Sequence, residues 1–129
     1  MLSITEERIG KMKKTNIAIN RGDGTTLVLP IILNQNGTKT PYTPDVSDVF
    51  ALQVRKGKVT KSSDIPALLF QGSLAVVNNQ LEWTISATDT TQDCGTYYWD
   101  CQITKGGVPF TFYSGEFEIL PEETIPTTP

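Results

Sequence analysis

From residue 16 onward, apolar and polar residues alternate along the chain with a period of two. That spacing places successive side chains on opposite faces of an extended strand. Ile17 and Ile19 alternate with Ala18 and Asn20. Leu27, Leu29, Ile31 and Leu33 share one face of residues 25–33, and Pro30, which has no N–H for a ladder, predicts an edge strand or a bulge there. Phe50, Leu52 and Val54 alternate with Ala51, Gln53 and Arg55. Leu68 and Phe70 form a shorter strand ending at Gly72, and Leu74 and Val76 extend it past a kink. Asn78-Asn79 predicts a tight turn into a strand with Leu81, Trp83 and Ile85 facing inward.

The clearest strand is 96–104. Tyr97, Trp99, Cys101 and Ile103 lie on one face; Thr96, Tyr98, Asp100, Gln102 and Thr104 lie on the other. Lys105-Gly106-Gly107 predicts a hairpin, after which Val108, Phe110 and Phe112 face inward. Further on the inward pair is Phe117 and Ile119, so the parity flips in between. Ser114-Gly115 is the expected site of the bulge that absorbs the extra residue. By the same parity Tyr113 faces outward, as Tyr98 does.

Three segments differ from this pattern. In residues 1–15, Ser3-Ile4-Thr5-Glu6 has the form of a capping box, and Ile4, Ile9 and Met12 give a weak apolar stripe. These residues read as an arm, either a short helix or an extended segment, with the three apolar side chains as candidate partner contacts. Residues 34–48 read as a long polar loop, and residues 121–129 as a Pro/Thr-rich tail. The prediction is one all-β, Ig-like antiparallel sandwich of about seven strands over residues 16–120, between an N-terminal arm (1–15) and a C-terminal tail (121–129). Its fold-defining residues are Trp83, Tyr97, Trp99, Cys101, Ile103, Gly115, Phe117 and Ile119.

Composition narrows the function. The 129 residues contain no histidine, which excludes Ser-His-Asp and Cys-His catalysis and His-ligated metals. Cys94 and Cys101 lie seven residues apart, roughly 23 Å along an extended chain, so they read as two free thiols with Cys101 buried. No catalytic residue, cofactor or metal site is expected, and the chain reads as non-enzymatic. Residues 1–20 carry a formal charge of +2 and the remainder −5, which argues against a nucleic-acid surface. No apolar run is long enough to cross a membrane, and the N-terminus lacks the features of a secretory signal, so synthesis in a cytoplasm is expected.

Several short patterns have ordinary readings. Arg21-Gly22-Asp23 is a turn rather than an integrin ligand, and Asn36-Gly37-Thr38 is a loop rather than a glycosylation site. Asp89, Asp93 and Asp100 lack the spacing of a calcium loop, and Glu116 and Glu118 are surface charges rather than a glycosidase pair. Asp93-Cys94-Gly95-Thr96-Tyr97 is similar to the immunoglobulin tyrosine corner, in which a Tyr hydroxyl bonds back to the preceding turn. Trp99 stands where an antibody domain has its second cysteine.

The run Gly95-x-Tyr97-x-Trp99-Asp100-Cys101-Gln102-Ile103, followed by Thr111-x-x-Ser114-Gly115-x-Phe117-x-Ile119, resembles a tailed-phage β-sandwich, the N-terminal domain of the phage baseplate upper protein family. Arg21-Gly22-Asp23, Phe50-x-Leu52-x-Val54-x-Lys56 and Asp89-Thr90 fall in the matching order, so the resemblance covers residues 16–120. It implies a non-enzymatic virion protein, assembled in the host bacterial cytoplasm, that docks on tail, baseplate or capsid proteins and is present as a homo-oligomer or in multiple copies. The chain ends at Pro129 without a fibre or coiled coil, so a small adaptor or attachment part is expected rather than a receptor carrier. The alternatives are a head-fibre or capsid-decoration protein and, from another class, a carbohydrate-binding module using Tyr98 and Tyr113 as stacking surfaces.

Overall fold

The computed structural model describes the backbone of residues 2–9, 12–35, 38–61, 63–105 and 107–122. It describes side chains from Lys14 to Ile32 and from Thr40 onward within those ranges. The strands are β1 (Leu2–Ile9), β2 (Met12–Asn20), β3 (Thr25–Val28), β4 (Ile31–Gln35), β5 (Thr38–Tyr42), β6 (Val49–Arg55), β7 (Leu68–Gln71), β8 (Ser73–Val77), β9 (Gln80–Ile85), β10 (Gly95–Lys105) and β11 (Val108–Leu120). A single helical turn, α1 (Ala87–Thr90), precedes β10.

The large sheet has the order β1-β2-β11-β10-β6-β7, the small sheet β3-β9-β8, and β4 pairs with β5 as a separate hairpin. All pairings are antiparallel except that of β2 with β11. The two sheets bury one core between them, so the all-β sandwich is the observed fold. From the large sheet come Ile17, Ile19, Leu52, Val54, Trp99, Cys101, Ile103, Phe117 and Ile119. From the small sheet come Leu27, Leu81, Trp83 and Ile85. Trp83 bridges the sheets, with its ring 5.1 Å from that of Trp99 and 5.7 Å from that of Phe117. Burial of each such side chain contributes about 1.5–3 kcal/mol of transfer free energy.

Local chemistry explains several joints. Asn78 and Asn79 adopt φ of 50° and 63°, the left-handed pair of a type I′ hairpin between β8 and β9. At Gly72 the chain passes from the large sheet to the small one. Its N–H donates to the Leu52 carbonyl at 2.8 Å, and a Cβ there would lie 2.6 Å from a Leu52 methyl carbon. Ser86 caps α1, accepting from Asp89 N–H while the Asp89 carboxylate accepts from Ser86 N–H, both at 3.0 Å.

The tyrosine corner forms as the pattern of residues 93–97 predicts: the Tyr97 hydroxyl donates to the Asp93 carbonyl at 2.6 Å. Burial of the ring end raises the Tyr97 pKa, and the neighbouring Asp93 and Cys94 add to the effect. Both cysteines are free thiols, Cys94 exposed and Cys101 buried. Burial pushes the Cys101 thiol up to about 12, with help from the Asp100 charge.

Four expectations change. Residues 2–9 and 12–15 are strands, so the helical reading of the arm is overturned and the extended one holds. An isolated short helix is marginal, whereas β2 gains a full neighbour by lying beside β11. Residues 38–42 of the expected loop form β5, and Pro30 ends β3 so completely that β4 leaves the small sheet to pair with β5. The parity flip lies at Phe112, not at Ser114-Gly115: Cys101 faces Tyr113 and Gln102 faces Thr111, leaving Phe112 as the extra residue. Tyr113 is therefore buried rather than outward, at 2% exposure. Its ring stacks on Trp99 at 5.7 Å, and its hydroxyl donates to the Pro30 carbonyl at 2.6 Å. Val108 and Phe110, expected inside, are about half exposed (52% and 51%). The pairing of β2 with β11 begins only at Tyr113, so among the described residues nothing from β2 pairs with that end of the hairpin. The expected C-terminal tail, from residue 123 on, and the Asn36-Gly37 pair lie outside the described residues.

Candidate functional site

Trp99 and Asp100, adjacent on β10, point to opposite faces of the large sheet. On the inner side Trp99 faces Gly115 across the ladder. The absent side chain lets β2 come close: a Cβ on Gly115 would fall 1.8 Å from the Thr15 carbonyl oxygen. The Trp99 indole N–H donates to that same carbonyl at 2.9 Å, and the Asn16 side-chain oxygen accepts from Glu116 N–H at 2.9 Å. The parallel pairing of β2 with β11 skips from Ser114 to Phe117, and these two bonds occupy the gap.

On the outer side lies a groove of about 380 Å³. Its floor follows from the register. Asp100 sits between Gln53 on β6 and Ser114 on β11, Tyr98 sits beside Arg55, and Ser114 faces Lys14 on β2. Gly57, Lys58 and Val59, from the connection after β6, form a wall. Arg55 is held by two bonds, to the Pro66 carbonyl at 2.9 Å and to Gln53 Oε1 at 2.7 Å. Asp100 is half-buried, and its Oδ1 has no hydrogen-bond partner among the described residues. Burial raises the Asp100 pKa, and the charge of Arg55 pulls it the other way.

A second surface lies at the hairpin end of the sandwich. Val108 and Phe110, each about half exposed, share one face there: Phe110 faces Ile103 and Val108 faces Lys105, while Val49 (62% exposed) faces Thr104 on the opposite face. A polar cluster braces this end. The Tyr42 hydroxyl donates to Asp48 Oδ2 at 2.6 Å and accepts from the Lys105 ammonium, which lies 3.8 Å from Asp48 Oδ1. The Tyr42 bond, more than the Lys105 charge, lowers the Asp48 pKa, and the Tyr42 bond likewise raises that of Lys105.

Of the candidate partner contacts, Tyr98 lines the groove and Tyr113 does not, being part of the core. Ile4 and Ile9 lie on β1 and Met12 opens β2, Ile4 opposite Ile17 and Ile9 opposite Met12; their side chains lie outside the described residues. Arg21-Gly22-Asp23 is built into the fold rather than presented. Arg21 Nε donates to the Gln92 carbonyl and its Nη1 pairs with Glu122, both at 3.0 Å. The buried Thr90 hydroxyl accepts from Gly22 N–H at 3.0 Å and donates to the Asp23 carbonyl at 2.8 Å. Glu116 and Glu118 are exposed. The groove's cations, Lys14, Arg55 and Lys58, come from three separate segments; alternation along β6 put Arg55 on the outer face, but nothing local joined it to Asp100.

No protein-family model matches the chain, and no curated protein sequence matches it.

Proposed function

We propose that the chain is a non-enzymatic structural part of a tailed-phage virion, an adaptor or attachment domain that docks on tail, baseplate or capsid proteins. The observation that carries the docking is the apolar hairpin end. Two large apolar side chains, Val108 and Phe110, are exposed together on one face there, on a frame held in place by the Tyr42–Asp48–Lys105 cluster. Exposed apolar patches of this kind are favourable to bury against another protein. The virion setting rests on the resemblance of the β10 and β11 patterns to the baseplate family. Two segments of that pattern, Arg21-Gly22-Asp23 and Asp89-Thr90, are hydrogen-bonded to one another here. A binding part of this kind works in multiple copies, each presenting the same end to a virion neighbour.

The test is incorporation into particles. The double substitution Val108→Asp, Phe110→Asp alters side chains that are half in solvent, so the thermal midpoint should change little while the chain disappears from purified virions. Absence of the wild-type chain from particles, or full incorporation of the double variant, would overturn this reading.

A further inference from the structure

We propose that the groove on the outer face of the large sheet is a saccharide-binding site whose preferred occupant is an acidic sugar unit. This does not depend on the docking reading, which uses the opposite property, apolarity, at another place on the molecule.

The groove's size suits a small ligand, since its volume of about 380 Å³ falls within the usual range of small-molecule sites. Its floor holds an unmet need. Asp100 Oδ1 is a buried acceptor with no donor among the described residues, and such an atom bears a desolvation penalty until one arrives. Asp100 lines the groove, and its χ2 is broad and two-fold, so its two oxygens can exchange positions. The donor it takes is constrained by its neighbours. Lys14, Arg55 and Lys58 line the same groove, so three formal positive charges surround one negative on a chain of net charge −3. A ligand ammonium would meet that repulsion, whereas a hydroxyl carries no charge and donates one hydrogen. The excess positive charge favours an anionic group alongside it. A sugar ring bearing a carboxylate supplies both in one compact unit.

Two further features are prepared for such a ring. Arg55 is already oriented by its bonds to Pro66 and Gln53, and a guanidinium has five N–H donors, so further donors of the same rigid plane remain for a ligand carboxylate. Holding that plane beforehand lowers the entropy lost on binding. Tyr98, the cross-strand neighbour of Arg55, offers an aromatic ring beside the polar floor, as a ligand with C–H and O–H faces requires. An acidic peptide matches the cations too, but its crowded carboxylates would then face Asp100.

The experiment presents the full chain to an array of defined glycans, uronate- and sialate-bearing alongside neutral ones, with a hexaglutamate peptide as competitor. The best glycan is then titrated against 15N-labelled protein. We expect binding confined to acidic glycans, with amide shifts at Tyr98, Asp100 and Ser114. Tyr98→Ala and Asp100→Ala should each weaken it by roughly tenfold. Lys58→Glu should weaken binding of the acidic glycans, and the Val108→Asp, Phe110→Asp variant should bind them normally. No binding to any acidic glycan, affinity unchanged in the Tyr98 and Asp100 variants, or complete displacement by hexaglutamate would overturn the proposal. Loss of glycan binding with normal particle incorporation, or the reverse, separates it from the docking reading.

Discussion

Trp99 and Asp100 are consecutive residues of one strand, yet their polar groups meet opposite circumstances. On the inner face the indole N–H of Trp99 reaches the Thr15 carbonyl over a glycine that exists to let it pass. In the gap of the ladder between β2 and β11 the Thr15 carbonyl and the Glu116 N–H each find a side-chain partner. On the outer face a carboxylate oxygen is buried without any donor among the described residues, beside a guanidinium that is already engaged elsewhere. The inner arrangement holds the sandwich together; the outer one leaves a cost that a ligand, a proton or a substitution removes. The contrast separates residues selected for packing from residues for which packing gives no account.

The inner side breaks most severely at Gly115. Gly115→Ala places a methyl group 1.8 Å from a backbone oxygen that has no soft side chain to yield. The expected loss is about 3 kcal/mol or more, read as a lower denaturation midpoint, with β2 separating from β11 and faster amide exchange on β2. Next in size is Trp99→Phe, which removes the donor to Thr15 as well as ring volume, with an expected loss of about 2–3 kcal/mol. The control is Trp83→Phe. The Trp83 indole nitrogen is buried without a partner among the described residues, so this change removes volume but no hydrogen bond. It should cost roughly 1 kcal/mol less than Trp99→Phe. Equal losses, measured by urea unfolding at constant m-value, would show that the Trp99–Thr15 bond contributes nothing.

The outer side should respond in the opposite direction and by less. Burial raises the pKa of Asp100 in the folded protein above its ordinary 3.8. The folded state therefore holds a proton that the unfolded chain has released, across the window between the ordinary and the raised values. Stability from this group falls as pH rises through that window and stays lower above it. Asp100→Asn removes the ionisation, so the variant should have the higher thermal midpoint at neutral pH, with the difference closing on acidification. Asp48 has the opposite sign. Its lowered pKa stabilises the fold above the ordinary carboxylate value and is lost as pH falls toward the native one. Asp48→Asn should thus destabilise at neutral pH and converge with the wild type in acid. If Asp100→Asn and Asp48→Asn shift the midpoint in the same direction at neutral pH, the distinction between the open site and the satisfied cluster fails.

Much of the fold was legible in the chain because its causes are local. Period-two alternation alone identified the inward faces of β6, β9 and β10, since a strand's neighbours along the chain settle which side each residue takes. The Asn78-Asn79 turn needs only two residues that tolerate positive φ, and the Tyr97 corner closes within four residues of sequence. The features decided by tertiary structure depend on partners far along the chain. Parity required a flip somewhere between Phe112 and Phe117, and Ser114-Gly115 was the weakest-looking segment. The flip lies at Phe112 instead, because the Tyr113 hydroxyl finds the Pro30 carbonyl 83 residues away. Gly115 answers a different need, the close approach of Thr15. The capping box of residues 3–6 is a true local signal, outweighed by strand pairing: those residues lie on β1, which pairs with β2 at every position from Leu2 to Ile9. The groove is the clearest case. Alternation placed Tyr98 and Asp100 on one face and Arg55 on its own strand's outer face, but which charges surround Asp100 was settled only when β2, β6 and the 57–59 connection met β10, because register between strands is a property of the folded sheet and not of any one strand.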